Sequence, residues 1–456
     1  MRAAYRSPAL APAGQARRRA AIGAACTLAL CLATPAAAAA APRRVPARVS
    51  VHVSDRTTVG TSRLWLGVTH TQVGIGGGRK GLAQIRDLLG AATRFQNQHL
   101  YGWGAANPQP APGRFAWASL DRRMARMRAV GTEPVITLCC APDWMTRLRR
   151  RSSTYPTLPP TARHVRDFAA LAAAVARRYP YVRYFIVWNQ MKGYYLRRSK
   201  TWDVAAYTRL YNAVYSALKR VSPRIKVGGP YLSIEGSGSK SFAKRPTYAT
   251  DRPITERNRA VLSYWLRHKR GADFVAISRP LIAPDHDHNR YSTAELLGLV
   301  GWFGDVARQI RAMTRLPLWY AEDHVRPLSG RAATAGEAVM LMRQMLAGVA
   351  VSLRWGPQAP QRGTVWHFSE ALYGRSRATG GVRPLAFYPL YRAVHSYFSP
   401  GTTLFRVRTS SPVVQAVASR RAALVVNTLA RALAVSVDGR RLRLPGYGVR
   451  VVALTR

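Results

Sequence analysis

Groups able to do acid–base or nucleophilic chemistry are scarce in this chain, which holds 20 Asp and Glu against 70 Lys and Arg in 456 residues. Glu322 is one of the few with a telling setting, closing the apolar run Leu318-Trp319-Tyr320-Ala321. A carboxylate at the end of such a run has two accounts: an arginine pairs with it for structure, or it serves as a nucleophile. A second run, Tyr184-Phe185-Ile186-Val187-Trp188, ends abruptly in the amides Asn189 and Gln190. Amides bind hydroxyls well, but they cannot give up a proton as a carboxylic acid does. Arg94, at the end of the run Thr93 to Asn97, could hold Glu322 ionised.

These groups must be carried by strands buried on both faces, because their runs are continuously apolar rather than alternating. Eight such strands are expected: Leu64 to Thr69, Thr93 to Asn97, Pro134 to Cys139, Tyr184 to Trp188, Lys226 to Tyr231, Asp273 to Ser278, Leu318 to Glu322 and Val351 to Trp355. Helical patterns lie between them. Tyr207, Leu210, Tyr211, Val214, Tyr215 and Leu218 make one apolar face, stopped by Pro223. Leu120, Met124 and Met127 mark another, ended by Gly131, and Thr255 caps a third. Eight strand–helix alternations predict an α/β chain folded as a (β/α)8 TIM barrel, whose chemistry sits at the carboxyl ends of the strands.

After Pro400-Gly401 the apolar period becomes two, and six short strands are expected between Leu404 and Leu454, with a hairpin turn at Asp438-Gly439. They make a small C-terminal β-sandwich that the strand Val49 to Thr57 could complete. The expected division is 1–41 signal peptide, 42–59 linker and strand joining the sandwich, 60–400 barrel, and 401–456 sandwich.

Several stretches resemble the clan A retaining glycosidases, most closely family 39, the β-xylosidase-like enzymes. They are Phe115-x-Trp117-x-x-Leu120-Asp121 with Gly131-Thr132-Glu133-Pro134, then Ala141-Pro142-Asp143-Trp144, Trp188-Asn189, Val227-Gly228-Gly229-Pro230 and Ala321-Glu322. The resemblance implies Glu322 as nucleophile, Asn189 on the sugar 2-hydroxyl and Trp355 as the floor of the sugar site. Arg94, Trp144 and His70 join the substrate-binding set. Two positions depart from the family. Gln190 stands where the acid/base glutamate belongs, and Ile277-Ser278-Arg279 replaces a His-x-Tyr pattern. The implied function is an exported retaining β-glycosidase with a weakened acid/base position, acting on β-linked glycans. The alternative is a silenced polysaccharide-binding protein of the cell envelope. Asp323 and Glu235, then the His286/His288 loop, are candidates for a substitute acid.

Composition narrows the partners. A net charge of +50 attracts polyanions with a strength that falls as salt rises, so an anionic cell-envelope polymer is a candidate partner. Zinc-ligand spacings and nucleic-acid motifs are missing from the sequence, so specific nucleic-acid recognition is not expected. Arg17-Arg18-Arg19, the apolar stretch Ala20 to Ala33 and the small-residue run Pro35 to Ala41 read as a secretory signal too short to span a membrane. The mature protein is expected outside the cell or on its envelope. Cys26 and Cys31 fall in that signal, while Cys139 and Cys140 read as buried core thiols. Asp285-His286-Asp287-His288 alternates in a loop and reads as solvated, and the glycines at 74, 76, 77 and 78 lack the residues of a phosphate cradle. No metal and no cofactor are expected.

Overall fold

The structure, a computed structural model, describes residues 48–454 except 73–74, 76–78, 148–156, 197, 235–252, 282–290, 360–370 and 377–379. The expected signal, Glu235, the histidine loop and the glycines at 74 and 76–78 therefore lie outside the described residues. Among the described residues, no helix is long and apolar enough to cross a membrane.

Eight parallel strands close into a barrel: Trp65–Thr69, Phe95–His99, Glu133–Leu138, Tyr184–Val187, Lys226–Ser233, Phe274–Pro280, Leu318–His324 and Val351–Trp355, here strands one to eight. Strand eight pairs back onto strand one, Val351 beside Trp65 and Trp355 beside Thr69. The barrel is filled from below by Phe95, Val135, Ile186, Phe274, Trp319 and Val351. Phe274 stacks on Trp319 with ring centres 4.1 Å apart. That layer needs a glycine, since a Cβ at Gly228 would sit 2.1 Å from the Phe274 ring. The plugged interior leaves the carboxyl end of the barrel as its open mouth.

The helices between strands follow the apolar spacing. Helix Val204–Val221 begins where the Asp203 carboxylate accepts the Ala206 N–H at 2.9 Å, and it buries Tyr207, Leu210, Tyr211, Val214 and Leu218. Its buried tyrosines keep their hydroxyls bonded, Tyr207 to the Val187 carbonyl and Tyr211 to the Gly271 carbonyl, both at 3.0 Å. Helix Ala118–Val130 ends on Gly131 in the left-handed region, and Thr255 caps helix Glu256–His268 through the Asn258 N–H.

Beside two short two-stranded ribbons, Tyr195–Leu196 with Thr201–Trp202 and Tyr373–Arg375 with Val382–Pro384, a seven-stranded sheet runs in the order Arg440–Leu444, Leu433–Val437, Arg48–Thr61, Thr403–Thr409, Val414–Ala418, Ala422–Asn427 and Val449–Ala453. Val49, Val51 and Val53 share one core with Val435, Leu444, Val425 and Val452, so the two halves of the sheet face each other as a β-sandwich. Its outer face presents Val417, Leu424 and Val426 to the barrel core. Asp438 and Gly439 both have positive φ, as a two-residue hairpin turn requires.

The adjacent cysteines are not free thiols. Cys139 and Cys140 are joined to each other, fully buried, across a cis peptide that brings their Cα atoms to 2.9 Å. Side chains on a trans dipeptide point apart, which is why the sequence reads as two thiols.

Candidate active site

Alternation along the strands decides which side chains enter the mouth. On strand two, Phe95 faces the barrel interior, so Asn97 and His99 follow on the same side. A belt of polar contacts results: the Asn97 side-chain amide donates to the Thr69 hydroxyl at 3.1 Å, and the Thr137 hydroxyl donates to Asn97 Oδ1 at 2.9 Å. Thr69 in turn donates to the Ala321 carbonyl at 3.0 Å, tying strand one to strand seven.

Strand seven would carry Glu322 outward if its alternation were unbroken, because Trp319 and Ala321 face in. A bulge between Tyr320 and Glu322 resets the phase and puts Glu322 beside Ser278 of strand six. Strand five carries a matching irregularity between Pro230 and Leu232, with Tyr231 at φ 49°. The Tyr231 hydroxyl reaches Glu322 Oε2 at 3.4 Å. Burial raises the Glu322 pKa above the ordinary glutamate range, opposed by the nearby Lys192 charge and the Tyr231 hydrogen bond. Burial also pushes the Tyr231 phenol well up, so it stays a donor.

Strand four ends in a tight reversal, with Trp188, Gln190 and Met191 all at positive φ. Gln190 Nε2 donates to the Ser278 hydroxyl at 2.7 Å, and Ser278 is the residue registered with Glu322. The amide and the carboxylate are thus both related to Ser278, one by a hydrogen bond to its hydroxyl and the other by strand register. Asn189 is 1% exposed, and neither its Oδ1 nor its Nδ2 has a hydrogen-bond partner. A buried amide left open on both atoms costs stability unless something else fills the space, which is how binding sites hold their ligands. Trp355 ends strand eight and meets Trp103 edge-on at 6.1 Å and His99 at 5.9 Å.

Four expected residues lie elsewhere or are committed to other partners. Arg94 precedes strand two rather than ending it, because that strand runs Phe95–His99. It pairs with Glu133 at 3.5 Å on the opposite rim, half exposed, and cannot touch Glu322. His70 falls one residue beyond the inward Thr69 and so faces the surrounding helices, with Nε2 bonded to Gln96 Oε1 at 3.1 Å. Burial drops its pKa to about 3, so it is a neutral packing group. Asp323 is turned outward by the same bulge that turns Glu322 inward. It accepts from Ser352 and from Gln344 at 2.8 Å, so it cannot replace the missing acid. Trp144 sits in the turn Asp143–Met145 after strand three, its indole N–H committed to the Gln109 carbonyl at 2.9 Å.

The histidine in the mouth is His99, which the sequence reading passed over. Its ring lies tilted against Trp103 with centres 4.2 Å apart, burial drops its pKa to about 3, and both ring nitrogens are buried without a partner. The alternation Phe95-x-Asn97-x-His99 was the signal that could have found it.

No protein-family model matches this chain, and no curated protein matches it in sequence. Solved structures do share its architecture. A monomeric β-xylosidase from Caulobacter crescentus CB15 matches 85% of this chain and 83% of its own at 17% identity, with a TM-score of 0.57. The GH39 enzyme from Xanthomonas axonopodis pv. citri matches 89% and 94% at 17% identity and a TM-score of 0.57. SrfJ from Salmonella typhimurium matches 91% and 94% at 13% identity and a TM-score of 0.61. At these identities the shared property is the fold: the chain carries the (β/α)8 barrel architecture of the glycosidases that its strand-end motifs resemble.

Proposed function

We propose that this chain is an exported β-glycosidase-like protein of retaining type, acting on β-linked glycans of the xylosidase class. The observation that carries the reading is the bulge that swings Glu322 into the mouth beside Ser278, the residue that also receives the Gln190 amide. In this reading the ionised Glu322 attacks the anomeric carbon, and the Tyr231 hydroxyl holds the carboxylate in place. Gln190 binds near the leaving oxygen but gives it no proton. Loss of a general acid costs about 10²–10⁴-fold, so the favoured substrates carry leaving groups that depart without protonation. In the retaining arrangement a second carboxylate serves as acid in the first step and base in the second, so an amide in that role leaves the first step to groups that depart unprotonated and the second step without a base for water.

A second reading, a silenced binder of anionic envelope polysaccharide, draws on one surface feature. A trench between helices Val165–Arg178 and Val204–Val221 has an alanine floor and is lined by Arg166, Arg177, Arg220 and Arg270. No carboxylate and no aromatic ring lines it. Guanidinium forks suit carboxylates, and the missing rings disfavour stacked bases.

An activated 2-fluoro glycoside followed by peptide mapping separates the two. Label on Glu322 supports the enzyme. Glycan binding without any label supports the binder.

A further inference from the structure

The β-sandwich carries a charge pattern that neither the mouth nor the trench uses. Residues 401–454 hold nine arginines, no lysine and one acid, Asp438. One half of the sheet packs on the barrel. The other half, from Arg440–Leu444 to Thr403–Thr409, buries its valines inward and turns the alternate residues to solvent. Register fixes where those residues fall. Arg443, Ala434 and Arg48 stand in one row, Arg441, Ser436 and Ser50 in the next, and His52 beside Arg408 in the one after.

Ala434, Ser436 and Ser50 therefore make a shallow floor, with Arg441 and Arg443 on one side and Arg48 and Arg408 on the other. Two strand spacings, about 10 Å, separate the edge strand from Arg48–Thr61. Among the described residues, none of these four arginines pairs with a carboxylate. Asp438 is held by His52 at 3.2 Å and by the Val53 N–H at 3.0 Å. Charges on an edge strand ward off stray pairing, which accounts for Arg441 and Arg443. Arg48 and Arg408 lie on strands inside the sheet, where that account does not reach. Four like charges around a neutral floor repel one another, and a polyanion laid there offsets the repulsion.

The chemistry of the face selects the kind of polyanion. Guanidinium forks match carboxylates. Apart from His52, the one ring on these four strands is Phe405, which packs inward, so stacked bases find no platform. The small floor side chains give nothing to insert into a bilayer. A width of two strands suits one extended chain.

We propose that this sheet face is a docking surface for a single acidic polysaccharide chain bearing carboxylates, which tethers the protein whether or not its mouth cleaves. The inference stands apart from the reading of the mouth.

The test measures binding of the full chain to polygalacturonate at low salt by calorimetry. Arg441→Gln with Arg443→Gln, and separately Arg48→Gln with Arg408→Gln, should each weaken binding by about tenfold or more. Arg166→Gln with Arg220→Gln removes the same charge from the helix trench and should leave binding near the parent value. All four sheet arginines are exposed, so the urea midpoint of each variant should match the parent's. Equal effects of the sheet and trench pairs, small or large, overturn the proposal, because the charge then acts diffusely. Single-stranded DNA or anionic lipid vesicles whose binding the sheet pairs weaken as much as that of polygalacturonate also overturn it. Failure of the parent to bind polygalacturonate overturns it outright.

Discussion

An amide at 190 and a carboxylate at 322 divide the work of glycoside cleavage unevenly, and each half can be tested alone. Gln190→Glu restores a proton donor beside Ser278, and hydrolysis of unactivated β-glycosides should rise by about 10² or more. Turnover assays on a glycan panel check it, and a variant as inert as the parent would show that the missing acid is not what limits the protein. Glu322 must be ionised to attack, and its pKa lies above the ordinary glutamate range. Activity on activated substrates should therefore fall on the acid side at a higher pH than a solvent-exposed glutamate would give. Tyr231→Phe removes a hydrogen bond that favours the ionised form, so that limb should move further up, read from kcat/KM against pH. Residue types carried part of this in the sequence: Glu322, Gln190, Asn189 and Trp355 all reach the mouth. Arg94 and His70 do not, because one residue of register decides rim and face.

At the scale of the element, the strands were legible because buried parallel strands are written as continuous apolar runs, and all eight barrel strands fall where those runs lie. The bulges were not legible. They are backbone events with no compositional mark, yet the one in strand seven sorts Glu322 inward and Asp323 outward. Behind that strand, Arg354 pairs with Glu337 at 2.8 Å with both side chains buried, and Tyr391 donates to the same carboxylate at 2.7 Å. Glu337→Gln removes the buried carboxylate that Arg354 pairs with and should cost about 3–5 kcal/mol, measured as a lower urea midpoint. Burial, reinforced by the Glu337 charge, raises the Asp323 pKa to about 7. Its folded value exceeds its unfolded one, so its stabilising contribution is complete below about pH 4 and is lost as pH rises through 7. Asp323→Asn should flatten the pH dependence of the urea midpoint across that window.

For the whole molecule, charge and chain order matter more than any one site. With a net +50, retention on an immobilised uronate polymer should be high at low salt and collapse towards 1 M, where the screening length is about 3 Å. Arg166→Ala with Arg220→Ala should lower the salt needed for release if the trench is the docking surface, and leave it unchanged if the charge acts diffusely. The strand Arg48–Thr61 lies inside the seven-stranded sheet, parallel to Leu433–Val437 and antiparallel to Thr403–Thr409. Its hydrogen-bond partners therefore arrive more than 300 residues after it is made, once every barrel strand has already emerged. Until they do, Val49, Val51 and Val53 lack the strands that cover them, and the newborn polypeptide keeps a sticky edge open while the barrel is being made. Assembly of this protein is thus fastened by strands made after the barrel, and a ribosome that stalls shortly before that point would release a barrel with an unprotected flank.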